Sequence, residues 1–438
     1  MSQIIHNCYD SHTHFWATGQ VAEGLKLQSL KNSSDISNLQ VLPQHFRAEW
    51  LVGFGWDQNQ WSNSELPDRS LLDRVFPDYP VFFSRVDGHA SWLNSKAIQE
   101  LTRRGYDFSV DPQGGRIVRT SNSEPTGILF DQAHINALLM LPDFSESQHR
   151  SFFLSSQKIF NRAGFTHVRD LSMNTFFWNM LKQMEDSKSL TVFIEGFVTI
   201  ESVNDVEKEI KCIHEMRSQV AEQIRVQGVK IFIDGSLGSK TAALSQSYRG
   251  EGQKGLLIWT SENIKEVLRQ TWQAGLQVAI HCIGDEAVHT AVKSAREVAA
   301  EGILGRLHLE HVQLLRQDTL QMMKPLHVTC HMQPCHWLSD HTWLKKTLPD
   351  ELHGSLFQWE LLRKNKIPLF FGSDSPIEDS SLLRTRQALL ESPKWGIPAL
   401  QGDWWTYHVH PDRHWGNGQT ELGDNGIIQV FLNGESLL

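Results

Sequence analysis

Hydrophobic and polar positions follow two rhythms along this chain, with the change near residue 150. It opens on an apolar run, Ile4, Ile5, Cys8 and Tyr9, that ends in Asp10-Ser11-His12-Thr13-His14. Residues two apart on a strand point to one side, so this run predicts a strand that presents two imidazoles together. From 17 to 150 the pattern is irregular: short strands are predicted at 50–56, 81–86, 115–119 and 127–130, between Gly, Pro and Asn turns, with a helix at 91–103. Beyond that, helix and strand alternate. A helix at 145–163 leads to strands at 166–171, 191–198, 225–234, 277–282, 306–312, 327–334 and 368–373, with helices such as 203–220, 261–274 and 286–300 between them. With the opening strand the count is eight, that of a (β/α)8 TIM barrel. An open doubly wound sheet also alternates in this way, but no Gly-rich phosphate loop follows the first strand. The expected organisation is strand one in 1–16, an α+β insertion lobe at the active-site mouth in 17–150, the rest of the barrel in 151–380, and a tail in 381–438 with short strands at 404–409 and 427–432.

In such a barrel chemistry collects at the C-terminal ends of the strands. Read there, the chain offers His12 and His14 on strand one, Lys230 on strand four, His281 on strand five, His311 on strand six and Asp374 on strand eight. One strand-end histidine is ordinarily a satisfied core residue; four histidines, a lysine and an aspartate on one barrel face are a metal-ligand set.

These residues and their surroundings resemble the metal-dependent amidohydrolase superfamily, in particular amidohydrolase family 3, which includes N-substituted formamide deformylases. The resemblance rests on Asp10-Ser-His-Thr-His14, Gly53-Phe-Gly-Trp-Asp57 with Trp61, Arg85-Val-Asp-Gly-His-Ala-Ser-Trp-Leu-Asn-Ser-Lys96 and Pro125-Thr-Gly-Ile-Leu129. It continues through Gly164-Phe-Thr-His-Val-Arg-Asp170, the stretch from Val229 to Ala242, His281-Cys-Ile-Gly-Asp285, Leu309-Glu-His311, Gln333-Pro334 and Gly372-Ser-Asp-Ser-Pro376. Three departures stand out. Little chain precedes strand one or follows Asp374, so the β-sandwich usual in the family is expected to be reduced or absent. His6-Asn7 replaces the usual Pro-Gly, and Asp131 stands where a glutamate is common.

The resemblance and the charges together imply a binuclear site of two divalent cations, with zinc the default for so much histidine. His12, His14 and Asp374 would hold the more buried ion, and His281 and His311 the second. Lys230 alternates with Phe232 and Asp234 and so projects into the barrel, where an unpaired ammonium is costly. A neutral amine can instead take up CO₂ as a carbamate that bridges the ions, which the resemblance implies; the alternative is a Lys230 paired with Asp234 or another carboxylate over a single ion. The implied reaction is hydrolysis of a C–N, amide-type bond of a small molecule by a metal-held hydroxide, with Asp374 as proton shuttle. A mononuclear deaminase of an amino-heterocycle and a catalytically silent metal-binding protein are the rival readings.

Substrate contact is expected first from His89, with Asp57, Trp92 and Trp61 weaker candidates and core packing the more usual role for either tryptophan; the loop from Gly235 to Ser239 is expected to shape the site. Asp285 is read as a helix cap. His331 and His336 can line the pocket without being assigned as ligands, and His408-Val-His410 with His414 is a rival set that lacks acidic partners. With a net charge of −9 and no basic stripe, nucleic acid is not an expected partner. No apolar run approaches a membrane span and no signal-peptide pattern opens the chain. Five scattered cysteines form no CxxC pair, which points to reduced thiols and the cytoplasm. A homodimer is compatible with the tail.

Overall fold

The computed structural model describes residues 2–62 and 65–438. The chain divides into two compact units, one made of 1–18 with 153–438 and the other of 19–152.

In the first unit eight parallel strands follow one another round a single sheet. They are β1 (Tyr9–Thr13), β2 (His167–Met173), β3 (Phe193–Thr199), β4 (Ile224–Phe232), β5 (Gln277–Cys282), β6 (Arg306–His311), β7 (His327–Met332) and β8 (Leu369–Phe371). The strand order is sequential from β1 to β8. The seam between β8 and β1 is joined just past the end of β8. There the Asp374 N–H donates to the His12 carbonyl at 2.8 Å and the His14 N–H to the Ser375 carbonyl at 2.9 Å. This is the (β/α)8 architecture that the alternation predicts.

Alternation sorts side chains between two environments. Val229, Ile231, Ile280 and Leu309 face outward into the main core, where the helices Ser261–Gln273 and Asp285–Ala300 bring Ile264, Val267, Leu268, Ala287 and Ala291 against them. Between Val229 and Ile231, Lys230 turns inward and is fully buried. The inner layer holds little apolar material, a small cluster of Leu171, Phe197 and Ala279, beside the buried charges of Arg169, Lys230 and Glu310.

The opening apolar run is two strands rather than one. Gln3–His6 leaves the barrel and pairs antiparallel with Gly418–Gly423, which pairs with Gly426–Leu432, in a sheet of four strands. The break is at Asn7, which takes a left-handed φ of 48°. Asparagine tolerates that conformation better than most residues, and here its side chain is also used: Gly418 N–H donates to Oδ1 at 2.8 Å and Nδ2 donates to the Trp415 carbonyl at 3.3 Å. This small sheet stands where a full sandwich was expected to be reduced. The predicted strand at 404–409 is instead a 3-10 helix, Trp404–His408, with only Val409 bridged to Cys8.

The second unit carries a mixed seven-stranded sheet with a core on each face. The helix predicted at 91–103 splits into a strand, Ala90–Leu93, and a helix, Ser95–Arg103, capped by the Asn94 side chain. Three consecutive apolar-facing positions before Asn94 suit a strand as well as a helix, and the cap decides where the helix starts. No helix among the described residues is long and apolar enough to cross a membrane.

The barrel seam leaves room for no side chain at Gly372: a Cβ there would lie 2.5 Å from the His12 nitrogen and 2.7 Å from its Cβ. Gly372→Ala is expected to push β8 from β1 and cost about 1–3 kcal/mol, read as a lower urea midpoint at unchanged m-value.

Candidate metal centre

Six side chains from five strands meet at the C-terminal mouth of the barrel. His12 and His14 end β1, and their Nε2 atoms lie 3.3 and 3.2 Å from one oxygen, Oδ1, of Asp374. Ring centroids of His12 and His311 are 4.6 Å apart, and those of His311 and His281 4.5 Å. Asp374 and His311 both take left-handed φ values, 61° and 73°, just where their strands end. Such conformations cost about 1–3 kcal/mol in a non-glycine residue, and they re-aim the side chains off the regular pleat.

Hydrogen bonds on the far side of each ring fix which nitrogen keeps a lone pair. The Nδ1–H of His12 donates to Glu310 Oε2 at 2.7 Å and that of His311 to Gln333 Oε1 at 2.8 Å, while His14 Nδ1 and the Ser172 hydroxyl share a bond of 2.6 Å. Glu310 and Gln333 offer only acceptor oxygens there, so His12 and His311 carry a proton on Nδ1 and turn Nε2 inward. His281 is set the other way: its Nε2–H donates to the Gly235 carbonyl at 3.2 Å, which leaves Nδ1 as the lone pair. Asp374 Oδ1 has no hydrogen-bond partner although it is buried. A lone pair on an imidazole facing a carboxylate oxygen at this distance is repelled by it, and a buried acceptor without a donor is costly. A cation between them satisfies both, so the donor set fits a divalent metal ion.

The titration behaviour agrees. Burial and the neighbouring Lys230 push His281 down to about 3, and burial with His281 and His12 pushes His311 well below its ordinary value. Burial alone would raise the Asp374 carboxyl, but His12, His14 and His311 hold it well below the carboxylate range. His12 runs the other way: the carboxylates of Asp374 and Glu310 outweigh its burial and raise it, so the cluster combines an ionised Asp374, neutral His281 and His311, and a His12 drawn towards its protonated form. Lys230 is fully buried, and its Nζ has no hydrogen-bond partner and lies 4.8 Å from the Phe232 ring centroid. Burial, opposed in part by Glu310, brings its amine down to about 8.

Behind the ligands, Glu310 is held by Arg169, whose Nη1 donates to Oε1 at 2.8 Å. Asp234 accepts three backbone N–H bonds, from Ala243, Ile283 and Gly284 at 2.8–3.0 Å, and so ties the loop after β4 to the end of β5. Asp170 accepts from the Phe15 N–H at 2.9 Å. Asp285 is not the expected cap; Gly284 holds that position, and Asp285 accepts from the Ser245 N–H at 3.0 Å.

His336 joins the centre without having been assigned to it. It lies in the first turn of the helix Pro334–Thr347 that follows β7, with Nε2 3.5 Å from Asp374 Oδ2. The Gln313 amide nitrogen stands 3.2 Å from its Nδ1. An amide nitrogen can only donate, so Nδ1 accepts and Nε2 faces Asp374. His336 Nε2 makes no hydrogen bond, and with His311 and Asp374 it forms a second group of donor atoms close enough to share an ion. A strand-end reading passes over it because it sits on a helix; the Gln333-Pro334 motif just before it was the available signal. His331 is in the barrel interior, accepting at Nε2 from or donating to His308 Nδ1 at 2.9 Å.

Outside this cluster the other assignments fall differently. Trp92 is fully buried in the aromatic core of the second unit, its indole N–H donating to the Asp68 carbonyl, so packing and not substrate contact is what it does there. Trp61 packs in the same core. Asp57 caps a 3-10 turn through the Asn59 N–H and pairs with Arg85 at 3.2 Å. His89 is mostly exposed, with Nδ1 3.2 Å from Asp131. His408 and His410 are buried structural residues, bonded at Nδ1 to the Tyr9 carbonyl and to Asp412.

A match to the amidohydrolase family spans residues 9–395. The Bacillus subtilis (strain 168) protein named "Putative amidohydrolase YtcJ" is 29% identical over 395 residues, covering 87% of this chain and 72% of that one. Protein LONG AFTER FAR-RED 3 of Arabidopsis thaliana is 30% identical over 414 residues, covering 90% and 69%. The crystal structure of an uncharacterized metal-dependent hydrolase from Pyrococcus furiosus superposes with a TM-score of 0.73 at 26% identity, covering 89% of this chain and 77% of that one. With its donor set at the barrel mouth and a match over nearly its whole length, the chain belongs to the amidohydrolase family, and with it to the metal-dependent hydrolases.

Proposed function

We propose that this protein hydrolyses a C–N, amide-type bond of a small molecule at a centre of two divalent ions, zinc by preference, with Asp374 moving the proton. The observation that carries the reading is the arrangement of the rings: four imidazoles are each tied back at one nitrogen by a hydrogen bond to the surrounding protein, around the buried, ionised carboxylate of Asp374. When bound, the ions supply Lewis acidity, both to the substrate carbonyl and to water.

The rest follows from the side chains. His12, His14 and Asp374 would hold one ion; His281 and His311 would hold the other, with Lys230 between. A lysine brought to about 8 keeps a useful fraction of neutral amine near neutral pH, and that amine can add to CO₂ as a carbamate. This removes an unpaired buried ammonium and supplies an anionic oxygen donor. Asp374, ionised and facing the cavity, accepts a proton from attacking water at its carboxylate and returns it to the departing nitrogen. His336 Nε2, 3.5 Å from Asp374 Oδ2, places a further imidazole beside the other oxygen. Five unpaired cysteines suit a reducing compartment such as the cytoplasm.

A one-metal deaminase-like site is the second reading, favoured by Lys230 resting over the Phe232 ring. Metal content separates the two. Protein reconstituted with zinc and bicarbonate is expected to hold two ions per chain, and Lys230→Ala to lose one of them together with amide turnover, with partial recovery in added acetate. One ion in both proteins, with turnover retained, would select the one-metal reading. Asp374→Asn, compared at equal metal occupancy, is expected to lower kcat by about 10²–10⁴-fold; a loss under tenfold would remove the shuttle from the mechanism.

A further inference from the structure

The centre opens into a cavity of about 450 Å³ whose lining includes three residues of the helix Pro334–Thr347: His336, Asp340 and Trp343. They are spaced i, i+4 and i+7, one stripe along the helix. A rise of 1.5 Å per residue places Asp340 ~6 Å and Trp343 ~10 Å along the axis from His336. Apolar side chains, among them Phe232, Ile283 and Ile377, line the space as well.

The cavity has two acidic side chains of its own beyond Asp374, and they differ. Glu378 is occupied: Arg384 Nη2 donates to Oε2 at 2.7 Å and the Ser339 hydroxyl donates to Oε1. Asp340 is half-buried and receives the Trp343 side chain as donor. Among the described residues no lysine or arginine pairs with Asp340, and none lines the cavity. Burial and the nearby Glu378 push its carboxyl up to about 6, opposed in part by the Trp343 donor and His341, so among the described residues its ionised form has no lysine or arginine counter-charge.

We propose that the cavity selects small amides carrying a cationic nitrogen separated from the scissile bond by a short apolar spacer, paired by Asp340 and set beside the Trp343 ring. This deepens the hydrolase reading and rests on it. An ammonium must keep away from the metal ions, and the helix stripe supplies a carboxylate at that remove; an aromatic face adds attraction for a desolvated cation. An apolar spacer of four or five bonds fits the Phe232 and Ile377 walls. A substrate with a remote carboxylate would meet acid and no base at this end.

The test compares N-formyl-diaminopropane, N-butylformamide and N-formyl-β-alanine on the metal-loaded full-length protein. The amine is expected to exceed the butyl compound at least tenfold in kcat/KM, with the carboxylate slowest. Asp340→Asn should bring the amine down to the butyl level, and Asp340→Glu should keep part of the preference. Equal amine and butyl rates, or a preference that survives Asp340→Asn, would overturn the proposal. If none of the three is turned over, amide hydrolysis of this kind is what fails, and binding decides the recognition separately. Calorimetry with choline against its neutral isostere dimethylbutanol should show at least tenfold tighter binding of choline to wild type and no difference in Asp340→Asn. Equal binding to wild type would refute it.

Discussion

The bond from the Asp374 N–H to the His12 carbonyl does two things at once. It joins the last barrel strand to the first, and it brings the carboxylate of Asp374 against the two imidazoles of β1. Sequence neighbours could not achieve this, because adjacent ligands on one strand offer only the pair His12 and His14. Closure supplies the third ligand from the other end of the unit, and the sequential strand order sets His281 and His311 on neighbouring strands. The price of convergence is electrostatic: lone pairs and a carboxylate are packed into a buried space where they repel unless a cation is among them. The left-handed backbone at His311 and Asp374 adds conformational strain at the same points. A fold that tolerates both costs is one whose core is anchored elsewhere, in the apolar layer between strands and helices.

What could be read from the chain follows from where the information is local. The eight barrel strands were legible because each is an apolar run bounded by turn residues, and the gathering of strand-end histidines with Asp374 because a barrel has only one functional end. Lys230 was legible for a different reason: an inward-facing lysine between Val229 and Ile231 has no ordinary use. His336 was legible only as a pocket-lining residue; its approach to Asp374 depends on the helix after β7, which no periodicity reports. Glu310, Ser172 and Gln333 were equally hidden; a carboxylate beside a ligand histidine in Leu309-Glu310-His311 points to the opposite face by alternation, and only the closed barrel shows that this face is the interior next to His12. The break at Asn7 was missed because Ile4, Ile5, Cys8 and Tyr9 read as one apolar run, and the partner that pulls Gln3–His6 away lies some four hundred residues later.

The barrel interior poses the harder question of why a folded protein buries Arg169 and Glu310 together, with the half-buried Glu195 beside them. Arg169 reaches Glu310 at 2.8 Å and stands 3.8 Å from Glu195, which accepts the Tyr9 hydroxyl at 2.8 Å. Such a network is poor value as stabilisation, since desolvation offsets most of its attraction and an apolar filling of the same volume is often as good. Its geometry shows another use. Glu310 has one oxygen on Arg169 and the other on His12 Nδ1. The arginine keeps that carboxylate ionised, against a burial that would raise it, and so keeps it an acceptor. An ionised acceptor holds the His12 proton on Nδ1 and leaves Nε2 bare. Replace the arginine by an apolar residue and the buried carboxylate would be better off protonated; it could then donate to His12 and move the lone pair to the wrong side of the ring. The buried ions are thus best understood as setting a tautomer, and stability is what the protein gives up to have it set.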